Sequence, residues 1–150
     1  MNAKERIVVG IDGSEYSPAP LRLAGRYAAA LGAPLDVITC VGFSDFYLAA
    51  HLPPGNPEMT TRLEEVATRL VEQAIETAFG QDRPPRLSTT VKFGSPAKIL
   101  VEESKDAQLL IVGRRGHGGF LNQVMGSVSS ACAAHAFCPV LVVAQESGGK

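Results

Sequence analysis

The chain opens its ordered pattern with a nearly unbroken apolar run. Ile7-Val8-Val9-Gly10-Ile11 is rich in β-branched residues and does not alternate, as expected of a strand buried on both faces of a parallel sheet. Asp12-Gly13-Ser14 ends it, and Ser17-Pro18 reads as an N-cap followed by proline at the first helical position. Leu21, Ala24, Ala28 and Leu31 then recur at helical spacing, and Gly32 supplies a stop. A second strand is predicted over 35–41. Between Gly42 and Pro57 the pattern breaks down into aromatics, prolines and glycines, and a long loop is predicted. A helix is predicted from Glu58 to Phe79, with Met59, Leu63, Val66, Leu70, Ala74 and Ala78 on one face and Gly80 ending it.

The second half repeats the alternation. Leu87 to Phe93 carries Ser88, Thr89, Thr90 and Lys92, which suits an edge or half-exposed strand. Gly94-Ser95-Pro96 is a second cap-plus-proline start, for a helix reaching about Lys105. Leu109 to Val112 is a buried strand, a glycine-rich segment follows, and a helix is predicted from Ser127 to about Phe137. Pro139 to Val143 is the last strand, and 146–150 a polar tail that frays. The order β-α-β-α-β-α-β-α-β implies an α/β domain: an open five-stranded parallel sheet, strand order 3-2-1-4-5, with helices on both faces and right-handed crossovers. No linker or repeat divides the 150 residues, so one domain is expected over 1–150.

Composition narrows the classes. Hydrophobic residues make up 45% and mean hydropathy is +0.10, which excludes a disordered chain. Net charge is −1 and no long basic face stands out, so a dedicated nucleic-acid binder is not expected and an anion site must be built locally. No stretch of about 20 apolar residues is present to span a membrane, nor is there a signal-peptide pattern, and cytoplasm is the expected location. Cys40, Cys132 and Cys138 form no Cys-x-x-Cys pair and read as reduced, buried thiols.

Open α/β sheets bind ligands at the carboxyl ends of their strands. Two segments fall there: Asp12-Gly13-Ser14, and the run from Gly113 to Ser127 with Gly116, Gly118, Gly119 and Gly126. Glycines let backbone approach a ligand closely, and successive N–H groups can cradle an anion beside a helix N-terminus. The helix dipole contributes only about 0.3–2 kcal/mol per anionic group. Arg114 and Arg115 add more, since a unit pair at about 4 Å is worth about 4 kcal/mol at an effective dielectric of 20, before desolvation. The spacing is neither that of a Walker A loop nor of the dinucleotide fingerprint. A wide turn without a ligand is the competing reading of these glycines. Asp12 likewise reads as a ligand acceptor or as an Asx turn over Gly13, and Ser127 as a ligand donor or a helix cap. His117 lies in the loop; His51 and His135 lack triad partners. Phe46 and Tyr47 read equally as nucleotide caps or as closure of the core's end.

Gly113-x-x-Gly116, nine residues, then Gly126-Ser127 resembles the nucleotide-binding pattern of the universal stress protein family, in its ATP-binding branch. The likeness extends over nearly the whole chain, through Asp12-Gly13-Ser14, Gly94-Ser95-Pro96 and Gly126-Ser127-Val128-Ser129 before the last strand. It implies ATP, with Mg as a possible companion. It places Asp12 against the adenosine, the Val41 backbone against adenine, and Gly113, Gly116, Gly126, Ser127 and Ser129 around ribose and phosphates. Gly13, Ser14, Arg114, Arg115, His117, Gly118 and Val128 complete the candidate set. Family members commonly carry a small residue where this chain has Arg114, which leaves open which arginine faces the phosphates. The resemblance also implies a homodimer paired through 139–143, whose apolar edge needs covering.

The expected function is therefore regulatory ATP binding. No general base held by a second group, and no paired carboxylates, stand near the loop. Slow ATP hydrolysis, or an interaction module making little use of nucleotide, are the alternatives.

Overall fold

The computed structural model describes residues 5–41, 59–114 and 126–144. The expected loop over 42–57, the tail, and Phe46, Tyr47, His51, Arg115, Gly116, His117, Gly118 and Gly119 lie outside them. Strands β1 (Ile7–Ile11), β2 (Leu35–Val41), β3 (Leu87–Phe93), β4 (Leu109–Gly113) and β5 (Val140–Val143) alternate with helices α1 (Pro18–Leu31), α2 (Met59–Phe79), α3 (Pro96–Glu103) and α4 (Ser127–His135). The sheet is wholly parallel, in the order β3-β2-β1-β4-β5. That is the expected α/β architecture.

Strand alternation divides the core in two. Ile7, Val9, Ile11, Leu35, Val37 and Ile111 pack under α1 and α2 with Leu21, Ala24, Val71 and Ile75. Val8, Ile38, Leu110 and Val112 face α3 and α4 with Leu100 and Cys132. Gly10 belongs to the second face: a Cβ there would lie 2.6 Å from a Leu100 methyl, so the glycine lets α3 sit down on the central strand. β3 has little helical cover on that side. Its Ser88 and Thr90 hydroxyls donate to Asp36 instead, and Arg6 bridges Asp36, Glu103 and Asp106, with Lys92 joining at Glu103.

Several local expectations shift. Leu31 is 52% exposed, not part of the α1 core face; at the last turn the face has already rotated past the sheet. Ser17 sits at the α1 N-cap but makes no capping bond, because its hydroxyl turns to Asp12. Ser95 does cap, accepting from the Lys98 N–H at 3.5 Å. The α3 helix stops at Glu103 and tightens into a 3-10 turn, Ser104–Asp106, and α4 stops at His135. All three cysteines are free, with only Cys132 fully buried.

Candidate functional site

Three neighbouring strands, β2, β1 and β4, end side by side. At the end of β1, Asp12 Oδ1 accepts from the Ser14 N–H at 2.9 Å and the Ser17 hydroxyl at 3.3 Å. This is an Asx turn, so that reading of Asp12 is realised. Gly13 takes φ 78° inside it, with room limited by Leu70 of α2: a Cβ would come within 3.0 Å of the Leu70 Cβ. Beneath the turn, the buried Thr39 hydroxyl donates to the Ile11 carbonyl at 3.0 Å. Ser14 Oγ accepts from the Tyr16 N–H at 3.3 Å, committing that hydroxyl to the same turn.

At the end of β2, the Val41 side chain is buried against Ala67, Leu63 and Leu70 of α2. Its carbonyl already accepts from the Gly94 N–H at 2.9 Å. A carbonyl has a second lone pair, so a further donor can still be accommodated.

At the end of β4, Arg114 is fixed through its backbone on both sides. Its N–H donates to Val143 O at 2.7 Å, and its carbonyl accepts from the Gly126 N–H at 2.9 Å. That second bond sets the start of α4 directly at the β4 end. Gly126 is the N-cap, in extended conformation (φ −73°, ψ 165°), so Ser127 is the first helical residue and exposed, not the cap. The first-turn N–H groups of a helix have no partners within the helix, which makes this end suited to an anion. Ser129 is 1% exposed and its hydroxyl donates to Gly126 O at 3.1 Å, bracing the first turn from inside. Val128 packs on the α3/α4 side of the core.

Two observations test whether these residues suit an anionic ligand. Arg114 Nε is screened from solvent with no acceptor. Gly126 needs no glycine for its own backbone, which is extended, and a Cβ would meet only ordinary contacts, 3.4 Å from Arg114 O and 3.9 Å from Ser129 Oγ. Both fit an end of the sheet built for a close, negatively charged partner. Among the described residues no group of three or more His, Cys, Asp or Glu side chains could hold a metal.

The family model described as the universal stress protein family matches residues 4–144. The chain belongs to that family. A universal stress protein of Mycobacterium tuberculosis is 33% identical over 150 residues, covering 97% of this chain and 49% of the relative. The chain thus spans about half the length of the curated relatives it matches. Among solved structures, a universal stress protein in complex with cAMP is 27% identical, with a TM-score of 0.58 over 93% of this chain and 95% of the other. The universal stress protein of Archaeoglobus fulgidus in complex with dAMP is 20% identical, with a TM-score of 0.61 over 94% and 98%, a likeness of fold.

The candidate residues Asp12, Gly13, Ser14, Val41, Gly113, Arg114, Gly126, Ser127, Val128 and Ser129 fall at the three strand ends and the first turn of α4. Sequence reasoning missed Ser17, Thr39 and Leu70 as supports of the Asp12 turn. Thr39 carries a signal, a hydroxyl inside an apolar strand, whereas the Ser17-Pro18 pattern points only to a cap.

Proposed function

We propose that the chain is a regulatory nucleotide-binding protein of the universal stress type whose ligand is ATP. The observation that carries this reading is the Gly126–Arg114 backbone bond, which sets the α4 N-terminus against the β4 end at a residue whose own Nε has no acceptor. Relatives with cAMP and dAMP in their structures support an adenine nucleotide. In this reading Asp12 meets the ribose side of adenosine, and the second lone pair of Val41 O meets the adenine amine. Gly113 and Gly126, with the first-turn N–H groups of Ser127 and Val128, face the phosphates, together with Arg115, Gly116, His117 and Gly118 of the intervening loop. Ser14 and Ser129 shape the two turns through their own hydrogen bonds. A Mg ion accompanying ATP would be held by phosphate oxygens and water, the usual manner for this cation.

The reading is one of binding rather than turnover, with slow ATP hydrolysis as the alternative, tested by a product time course. The β5 edge carries four half-buried apolar residues, Val140 to Val143, and pairing with the same edge of a second copy would cover them. Sedimentation at micromolar concentration tests that homodimer; a monomer refutes it. Among the described residues no helix is long and apolar enough to cross a membrane, and three free thiols suit a reducing cytoplasm.

The deciding experiment is mass analysis of small molecules released from the purified protein, with calorimetric titration by ATP. An adenine nucleotide released, or saturable binding, is expected. No nucleotide and no binding at millimolar ATP would refute the reading.

A further inference from the structure

The Arg114 side chain is anomalous. Its backbone N–H extends the β4–β5 ladder to Val143 O, so strand alternation continues through it and puts it on the same face as Leu110 and Val112, the side covered by α3 and α4. Its carbonyl is bonded to the N-cap of α4. The guanidinium is permanently charged and donor-only. Yet Nε has less than 1 Å² of exposed surface and reaches no acceptor, and among the described residues no carboxylate pairs with the group. A buried donor left unpaired is costly, and a charged one more so. The backbone bonds on both sides hinder the residue from withdrawing to solvent.

We infer that Arg114 is a phosphate-recognition residue: its Nε–H donates to a phosphoryl oxygen of the bound nucleotide, completing with the α4 N-terminus a cation-assisted anion site. This rests on the nucleotide reading and goes beyond it by naming Arg114 as a residue that holds the phosphate chain. Arg114 then acts as a selectivity element, favouring phosphorylated nucleosides over the bare nucleoside. Arg-to-phosphate bonds are charge-assisted and directional. The orphaned donor is then a feature of the ligand-free protein, relieved on binding.

The test compares wild type with Arg114→Met, which keeps the stem and removes every donor, and with Arg114→Gln. ATP and adenosine are titrated by calorimetry, and thermal unfolding is followed without ligand. The methionine variant is expected to unfold at or above the wild-type temperature, since an unpaired buried donor is gone. The ATP affinity of both variants is expected to fall by about 10- to 100-fold while adenosine affinity holds within about twofold. Unchanged ATP affinity in a wild-type background that binds ATP overturns the inference alone. So does an equal loss for ATP and adenosine, or failure of both variants to fold, because either marks Arg114 as structural. A wild type that binds neither ligand overturns the inference and the nucleotide reading together.

Discussion

Two glycines in the site should respond oppositely to the same added methyl group. At Gly13 the backbone holds φ 78°, where an L side chain costs about 1–2 kcal/mol. The new Cβ would also stand 3.0 Å from the Leu70 Cβ, and overpacking of this kind adds about 1 kcal/mol. Gly13→Ala should therefore cost about 2–3 kcal/mol. With an unfolding entropy of about 2.1 cal/mol/K per residue, 1 kcal/mol corresponds to about 3 °C for a chain of this length. The expected loss in Tm is then about 6–9 °C. At Gly126 the conformation is open to any residue and the nearest atom is Arg114 O at 3.4 Å. Alanine is a poorer N-cap by up to about 1 kcal/mol, but it also restricts the unfolded chain, which returns about 0.4–1 kcal/mol. Gly126→Ala should thus leave Tm within about 2 °C. Its ATP affinity should nevertheless fall at least about tenfold, if a ligand passes within a methyl's reach of the Cα. Calorimetric unfolding without ligand and titration with ATP decide both points. A Gly126→Ala variant as unstable as Gly13→Ala, or one that binds ATP like wild type, refutes the assignment of Gly126 to the ligand.

Ser104 is fully buried; its hydroxyl donates to Val101 O at 2.5 Å and accepts from the Phe137 N–H at 2.9 Å. Ser104→Ala strands that N–H and should cost about 1–3 kcal/mol, a drop of about 3–9 °C in Tm; a shift under about 1 °C would deny the staple its role. For Glu103, burial works to raise the carboxyl pKa, but hydrogen bonds from Lys92 and Arg6 outweigh it and hold the value below the ordinary 4.5. A depressed carboxylate stabilises above its unfolded pKa and loses that stabilisation as pH falls through the folded value. The stability gap between wild type and Glu103→Gln should be constant above about pH 5.5 and close below 4.5; a gap that widens on acidification contradicts the network. Burial pushes the Cys40 thiol up to about 12 and Cys132 up to about 11. Iodoacetamide at about pH 8 should label them only after unfolding, because the thiolate is the nucleophile; rapid labelling of Cys132 in the native protein would be decisive against this.

The fold was legible because its strands are apolar in a way only a two-sided parallel sheet explains. Ile7 to Ile11 supplies residues to both halves of the core in alternation, and the Ser/Thr/Lys content of β3 marked the edge it occupies. What could not be read was where a polar side chain finds its partner. Ser17 precedes a proline and looks like a cap, yet Asp12, five residues earlier, is the acceptor it turns to. Ser95, in the same local context but lacking such a carboxylate, caps as expected. Of the two readings of Ser127, ligand donor or α4 cap, the second fails because Gly126 holds the cap position, tied by a bond from β4 that no local pattern encodes. Arg6, Asp36, Glu103 and Asp106 lie up to 100 positions apart, and only the sheet order brings them together.

The two sides of the strand-end region differ in what remains for a ligand to satisfy. On the β1–β2 side, polar groups are already engaged within the chain: Asp12 Oδ1 accepts twice, the Ile11 carbonyl takes the Thr39 hydroxyl, and Val41 O takes the Gly94 amide. Those groups can add a neutral contact through a second lone pair, which favours hydroxyl and amine partners of nucleoside character. On the β4–α4 side the balance is reversed. A helix start presents donors without helical acceptors, and Arg114 Nε is a buried donor with none. A ligand that is neutral at one end and anionic at the other matches this polarity in one orientation only, with its phosphates toward α4. Reversing it would bring phosphate charge against the Asp12 carboxylate and leave the arginine unpaired. The asymmetry of hydrogen-bond demand, more than the glycine count, is what gives the proposed nucleotide site a defined direction.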